Sequence, residues 1–151
     1  MKRSEIYAAQ EIVRRQLASA GIVVNDETPV EIADFGLGRY HAEGLGLVVR
    51  VNEPEYCSKW LTLTPGQQCP MHYHKVKKET FFVLQGTVVV RTSNETVTLN
   101  PGDRYTLFPG TPHTFGSVAG AVIEEVSTHD ENADSYFENA AVIRDPVSEE
   151  D

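Results

Sequence analysis

The chain opens on a helical pattern and then changes period. Ile6, Ala9, Val13 and Leu17 recur every three or four residues, an apolar stripe along one face of a helix predicted over residues 4–20. Ser4 is a suitable N-cap, Glu5 places an acid in the first turn, and Gly21 can close the C-terminus. Such a stripe packs on the body of a fold or on a second subunit. From about residue 30 the pattern shortens to strands: 47–51, 60–64, 80–84, 87–91, 95–99, 104–108, 114–115 and 121–126. Turn signals separate them, among them Pro65-Gly66, Gln85-Gly86, Ser93-Asn94 and Asn100-Pro101-Gly102-Asp103. Many short strands at close spacing predict an all-β antiparallel barrel or sandwich. The expected organisation is a single domain, with an N-terminal helix and linker over 1–29 and a β-barrel over 30–151.

Composition narrows the function classes. The 151 residues carry a net charge of −9, which argues against nucleic acid, whose phosphates call for clustered Lys and Arg. No apolar run is long enough to span a bilayer. The charged start Met1-Lys2-Arg3-Ser4-Glu5 is followed by no apolar signal core, so a cytoplasmic location is expected. In that compartment Cys57 and Cys69 are expected as buried free thiols. The acidic end Ser148-Glu149-Glu150-Asp151 reads as a solvated tail.

The chemistry concentrates in two motifs. In Gly66-x5-His72-x-His74-x4-Glu79-x6-Gly86, strand alternation points His72 and His74 the same way, and Glu79 can rejoin that face from the next strand. The second motif, Gly102 through Pro109-Gly110-Thr111-Pro112-His113, can deliver a third imidazole from another strand. Three neutral imidazoles and a carboxylate suit one divalent ion, Mn²⁺, Fe²⁺, Co²⁺, Ni²⁺ or Zn²⁺, and leave positions open for water or substrate. A lone His-x-His would be ordinary hydrogen bonding; the glycine frame, the Glu and the distant Pro-Gly-x-x-His favour a metal site.

These residues resemble the cupin superfamily. The first motif fits the cupin pattern without a mismatch. The second departs at Phe108, where a Pro is expected, and at Ser117, where an Asn is expected. The resemblance implies a jelly-roll-like barrel with the metal inside. A narrower likeness reaches the D-lyxose isomerases, on Met1–Ile6, Asp34-Phe35-Gly36-Leu37-Gly38, Gly44-Leu45, Tyr56 with Lys59, and Pro70–His74 with Lys77. It extends through Glu125-Val126-Ser127, Asp130-Glu131-Asn132-Ala133-Asp134, and Ile143-Arg144-Asp145-Pro146 ahead of the acidic close. The chain is shorter than typical members, which implies fewer loops over the pocket. The likeness implies aldose–ketose isomerisation of a small sugar, of the D-lyxose/D-xylulose or D-mannose/D-fructose type. By the same resemblance Glu125 is the expected base and Lys77 its partner on a substrate oxygen.

Alternation alone does not choose between Glu124 and Glu125, since only one of two successive strand residues enters the barrel. Lys77 lies in the run Lys75-Val76-Lys77-Lys78, and such runs are commonly solvated. Lys59 shares a face with Leu61 and Leu63, which aims it at the pocket. Trp60 and Tyr73 are candidates to line a sugar site, although simple packing is the commoner role; His41 and His129 are expected at the surface. The competing functions are an Fe²⁺-dependent cupin dioxygenase, a non-catalytic sugar-binding cupin and, last, a nucleotide-sugar epimerase. A homodimer is expected.

Overall fold

The computed structural model describes every residue except Asp145 and Val147, so Asp145 of the Ile143–Pro146 stretch lies outside the described residues. Among the described residues one α-helix, α1 (Arg3–Ser19), precedes eleven strands, with a short 3-10 helix (Asn132–Asp134) ahead of the last. One antiparallel sheet holds six of them: β1 (Glu31–Ala33), β2 (Leu45–Asn52), β3 (Cys57–Leu63), β5 (Glu79–Gly86), β8 (Arg104–Leu107) and β10 (Ala121–Ser127). Their order is β1-β2-β3-β10-β5-β8. The second sheet joins β4 (Gln67–Tyr73), β6 (Val88–Thr92), β7 (Thr96–Leu99), β9 (His113–Ser117) and β11 (Tyr136–Phe137) in the order β11-β4-β9-β6-β7. The all-β antiparallel fold with an N-terminal helix is as expected. The expected barrel is flattened into two stacked sheets, since among the described residues the ladders do not close into one ring.

The helix begins two residues earlier than its cap signal suggests. Lys2, not Ser4, is the N-cap, and Glu5 accepts the Lys2 backbone N–H at 2.8 Å. Ser4 instead donates its N–H and its hydroxyl to the Asp151 carboxylate. The acidic end is therefore tied down rather than merely solvated: Arg3 N–H donates to Glu149 O and Glu149 N–H to Met1 O, each at 2.9 Å. The unpaired N–H groups and positive pole of a helix N-terminus account for this anchoring of a carboxylate. At the other end Gly21 takes φ 79°, and Ile22 N–H returns to Leu17 O, closing the helix.

Ala9, Val13 and Leu17 are buried, and Val13 and Leu17 pack with Val30, Val48 and Val122 on the outer face of the six-stranded sheet. The apolar stripe thus covers the chain's own sheet. Between the sheets lies the main core, including Leu61, Leu63, Phe81, Val83, Val88, Val90, Phe115 and Ile123. Both cysteines are buried and free. No helix among the described residues is long and apolar enough to cross a membrane.

Candidate active site and metal centre

The ligand-type residues stand at strand ends on one rim of the sandwich. His72 pairs directly with His113 across β4 and β9, and their ring centroids are 4.4 Å apart. The β4–β9 register shifts between Cys69 and His72. This irregularity at Pro70-Met71 lets Cys69 and His72, three residues apart, both face the interior. His74 follows directly on β4, and Glu79 opens β5. The ligand atoms of His72, His74, Glu79 and His113 all lie within 4.8 Å of one another, and all four residues are buried.

The hydrogen bonding around the rings fixes which nitrogens face the centre. Each Nδ1 lies against a backbone carbonyl: His72 on Pro70 at 2.8 Å, His74 on Asp134 at 3.0 Å and His113 on Thr111 at 2.9 Å. A carbonyl only accepts, so each Nδ1 carries the proton and each Nε2 turns a lone pair inward. Burial, reinforced by the neighbouring rings, pulls His72 down to about 3, and burial also lowers His74, which keeps both neutral. His113 Nε2, buried with no hydrogen-bond partner, sits 3.2 Å from Glu79 Oε1. A cation held between them satisfies both, and the donor set of three imidazoles and one carboxylate suits a divalent metal ion.

Beside this cluster stands a charged chain that the sequence only partly discloses. Lys77 Nζ is 2.9 Å from Glu79, 2.9 Å from Asp130 and 3.5 Å from Glu125. Asp130 also holds Lys59 at 2.7 Å. Lys77 is thus buried, out of the solvated run its neighbours suggest. The register that aligns Ser127 with Glu79 and Glu125 with Lys59 turns Glu125 inward. Glu124 turns outward to pair with Arg50 at 3.2 Å; the Glu124 side chain is 28% exposed and that of Glu125 5%. Burial, with Glu79 nearby, pushes the Glu125 carboxyl up to about 8 despite Lys77. Burial alone would lower Lys77, but Glu125, Glu79 and Asp130 hold it well above its ordinary value.

Asp130 and Asp134 belong to a stretch that carries no strand period; the likeness to the D-lyxose isomerases includes that stretch but gives the two residues no role. Asp134 accepts the backbone N–H groups of Lys75, Val76 and Lys77 while its carbonyl takes His74 Nδ1–H. One residue therefore orients both a ligand-type imidazole and the loop that carries Lys77. Trp60 and Tyr73 line neither cavity at the site: Trp60 packs under Arg50, and Tyr73 stacks on Tyr136. Both point away because odd-numbered β3 residues hold the inner face and Tyr73 alternates with His72 and His74. His129 bridges Glu53 and Glu131 at the surface, and His41 is exposed.

The inner cavity, bounded by His72, His74, Lys77, Glu79 and Glu125, has a volume of ≈ 50 Å³. An outer cleft of ≈ 670 Å³ adjoins it, and Lys59, Asp130 and Arg144 line both.

Comparison with known proteins agrees with this geometry. Residues 59–124 match the cupin domain model. The D-lyxose/D-mannose isomerase of Thermosediminibacter oceani is 33% identical over 180 aligned positions that cover 99% of both chains. The D-lyxose ketol-isomerase of Cohnella laeviribosi is 33% identical, with 100% of each chain covered. The chain belongs to the D-lyxose ketol-isomerase family. Among solved structures, the ligand-free L-ribose isomerase of Cellulomonas parahominis superposes with a TM-score of 0.83 at 18% identity, covering 94% of each chain. The enzyme of that name from Geodermatophilus obscurus gives 0.81 at 18% identity. At that identity the likeness speaks for the fold alone.

Proposed function

We propose that this protein is a divalent-metal-dependent aldose–ketose isomerase acting on free sugars of the D-lyxose/D-xylulose or D-mannose/D-fructose type. The observation that carries the reading is a buried carboxylate, Glu125, beside a buried ammonium, Lys77, against a preorganised set of three imidazoles and Glu79. His72, His74, Glu79 and His113 are the proposed ligands, and Mn²⁺ is the first candidate among divalent ions. Bound there, such an ion supplies the Lewis acidity that polarises the sugar carbonyl and acidifies the neighbouring C–H.

The chain's own residues do the remainder. Glu125, kept poorly solvated, takes the proton from C2 of the aldose and returns it to C1 of the ketose. Its elevated pKa brings it near neutral pH, where a carboxylate is a stronger base than a solvated one. Lys77 Nζ donates to the substrate oxygen whose charge changes, and Asp130 keeps that ammonium in place. A dioxygenase would have no evident use for the Lys77–Glu125 pair. The protein is proposed to work as a cytoplasmic homodimer, a setting compatible with its two free thiols.

The test is solvent-deuterium exchange at C1 and C2, followed by NMR, with metal-free protein reloaded separately with Mn²⁺, Co²⁺, Fe²⁺ and Zn²⁺. Metal-dependent exchange on lyxose or mannose is expected. His72→Ala should lose the metal and with it the exchange. Glu125→Gln should keep the metal while turnover drops by about 10²–10⁴-fold. Undiminished exchange in Glu125→Gln would remove Glu125 as the base, and no exchange on any sugar would refute the isomerase reading.

A further inference from the structure

The two cavities are unequal in a way that bears on substrate size. A water molecule occupies about 30 Å³, so the inner cavity's ≈ 50 Å³ accommodates the reacting end of a sugar and little more. The remainder of the substrate must pass the Lys59–Asp130 pair, whose residues line both spaces. Beyond it, the outer cleft offers ≈ 670 Å³, well inside the range of about 300–1,000 Å³ typical of whole-ligand pockets. That exceeds what the tail of one pentose or hexose fills. The lining mixes polar Glu31, Asn52, Glu131 and Arg144 with apolar Ile32, Leu47 and Val49, a mixture suited to sugar hydroxyls and a pyranose face. The alignment with the Thermosediminibacter oceani protein runs over 180 positions, whereas this chain has 151 residues. This chain therefore lacks segments that the relative carries.

We propose that the outer cleft is a second sugar subsite, so that the protein also isomerises the reducing end of disaccharides linked through O4 or O6 of the reducing unit. The proposal rests on the isomerase reading above. The linkage follows from the chemistry. C1 must be a free aldehyde and O2 a free hydroxyl, because the C2–H bond breaks, a C1–H bond forms and the O2 proton is relocated to O1. No outside oxidant or reductant enters. Substituents at O4 or O6 leave all of these atoms untouched and project away from the inner cavity toward the cleft.

The experiment compares D-mannose with 4-O-β-D-mannopyranosyl-D-mannose as substrates of the metal-loaded protein. In parallel, calorimetry measures binding of the corresponding disaccharide alditol, which has no carbonyl to isomerise. Glu31→Trp and Val49→Trp fill the cleft from two exposed positions that line it and do not line the inner cavity. Wild type is expected to turn over both sugars, with kcat/KM values within about tenfold of each other. Each Trp variant should lose disaccharide turnover and alditol binding by at least about tenfold while D-mannose turnover stays within about twofold. Turnover of D-mannose with neither disaccharide turnover nor alditol binding overturns the second subsite and leaves the isomerase reading standing. Equal loss of both sugars in the Trp variants also overturns it. No turnover of either sugar by wild type overturns both.

Discussion

The same strands build the two ends of this sandwich out of opposite chemistry. On β5, Phe81 and Val83 fill the core while Glu79, two residues away, faces the site. Ile123 gives way to Glu125 on β10, Leu61 to Lys59 on β3, and Phe115 to His113 on β9. At the apolar end burial is itself the stabilising term. At the other end burial costs free energy, and only mutual pairing of Lys59, Lys77, Glu79, Glu125 and Asp130 offsets it. One end makes the fold; the other is held in its charged arrangement by the first. The period of two that runs through both ends lays a charged side chain directly above an apolar one.

The largest effect is expected from breaking the charged end. Lys77→Met leaves Glu79, Glu125 and Asp130 without their shared cation. Metal-free protein should lose about 3–5 kcal/mol in denaturant unfolding, the cost of orphaning a buried charge. Isomerisation should fall by about 10²–10⁴-fold even in metal-loaded protein. A variant as stable as wild type would mean that the carboxylates are not compensated by Lys77.

Leu63→Ala tests the other end. Leu63 is fully buried at the end of β3, paired with Ala121 and four residues from Lys59, so truncation should cost about 2–5 kcal/mol of stability. Well below its lowered melting temperature, the variant should retain turnover, because no hydrogen bond or ion pair of the site runs through this side chain. A selective collapse of kcat with unchanged stability would erase the distinction between the two ends.

What could be read in advance follows the same division. The grouping of His72, His74, Glu79 and His113 was legible because strand alternation and short spacings tie the first three together and a second motif offers the fourth. The choice between Glu124 and Glu125 was not, because it depends on the pairing of β10 with β3 and β5, a long-range register. Asp130 and Asp134 carry no period at all, and their roles arise from where an irregular segment returns to the rim. The irregularity at Pro70-Met71 was equally hidden, since the alternation argument treats a strand as regular. The tie between Asp151 and the start of α1 joins opposite ends of the chain, which no local pattern can announce.

The smallest of these effects concerns Asp130, the link between the inner and outer spaces. Burial alone would raise its carboxyl, but Lys77 and then Lys59 outweigh burial and hold it well below the usual carboxylate range. A group whose pKa is lower folded than unfolded contributes stability above the unfolded value, about 3.9, and loses it as the pH falls toward the folded one. Asp130→Asn removes that contribution at every pH. The stability difference between wild type and variant, measured on metal-free protein by urea unfolding, should be about 1–3 kcal/mol near pH 6–7. It should shrink steadily below about pH 4, with wild type the more acid-sensitive of the two. A difference that stayed constant down to pH 3 would mean that Asp130 contributes through packing rather than through its charge, and that the charged end is held together without it.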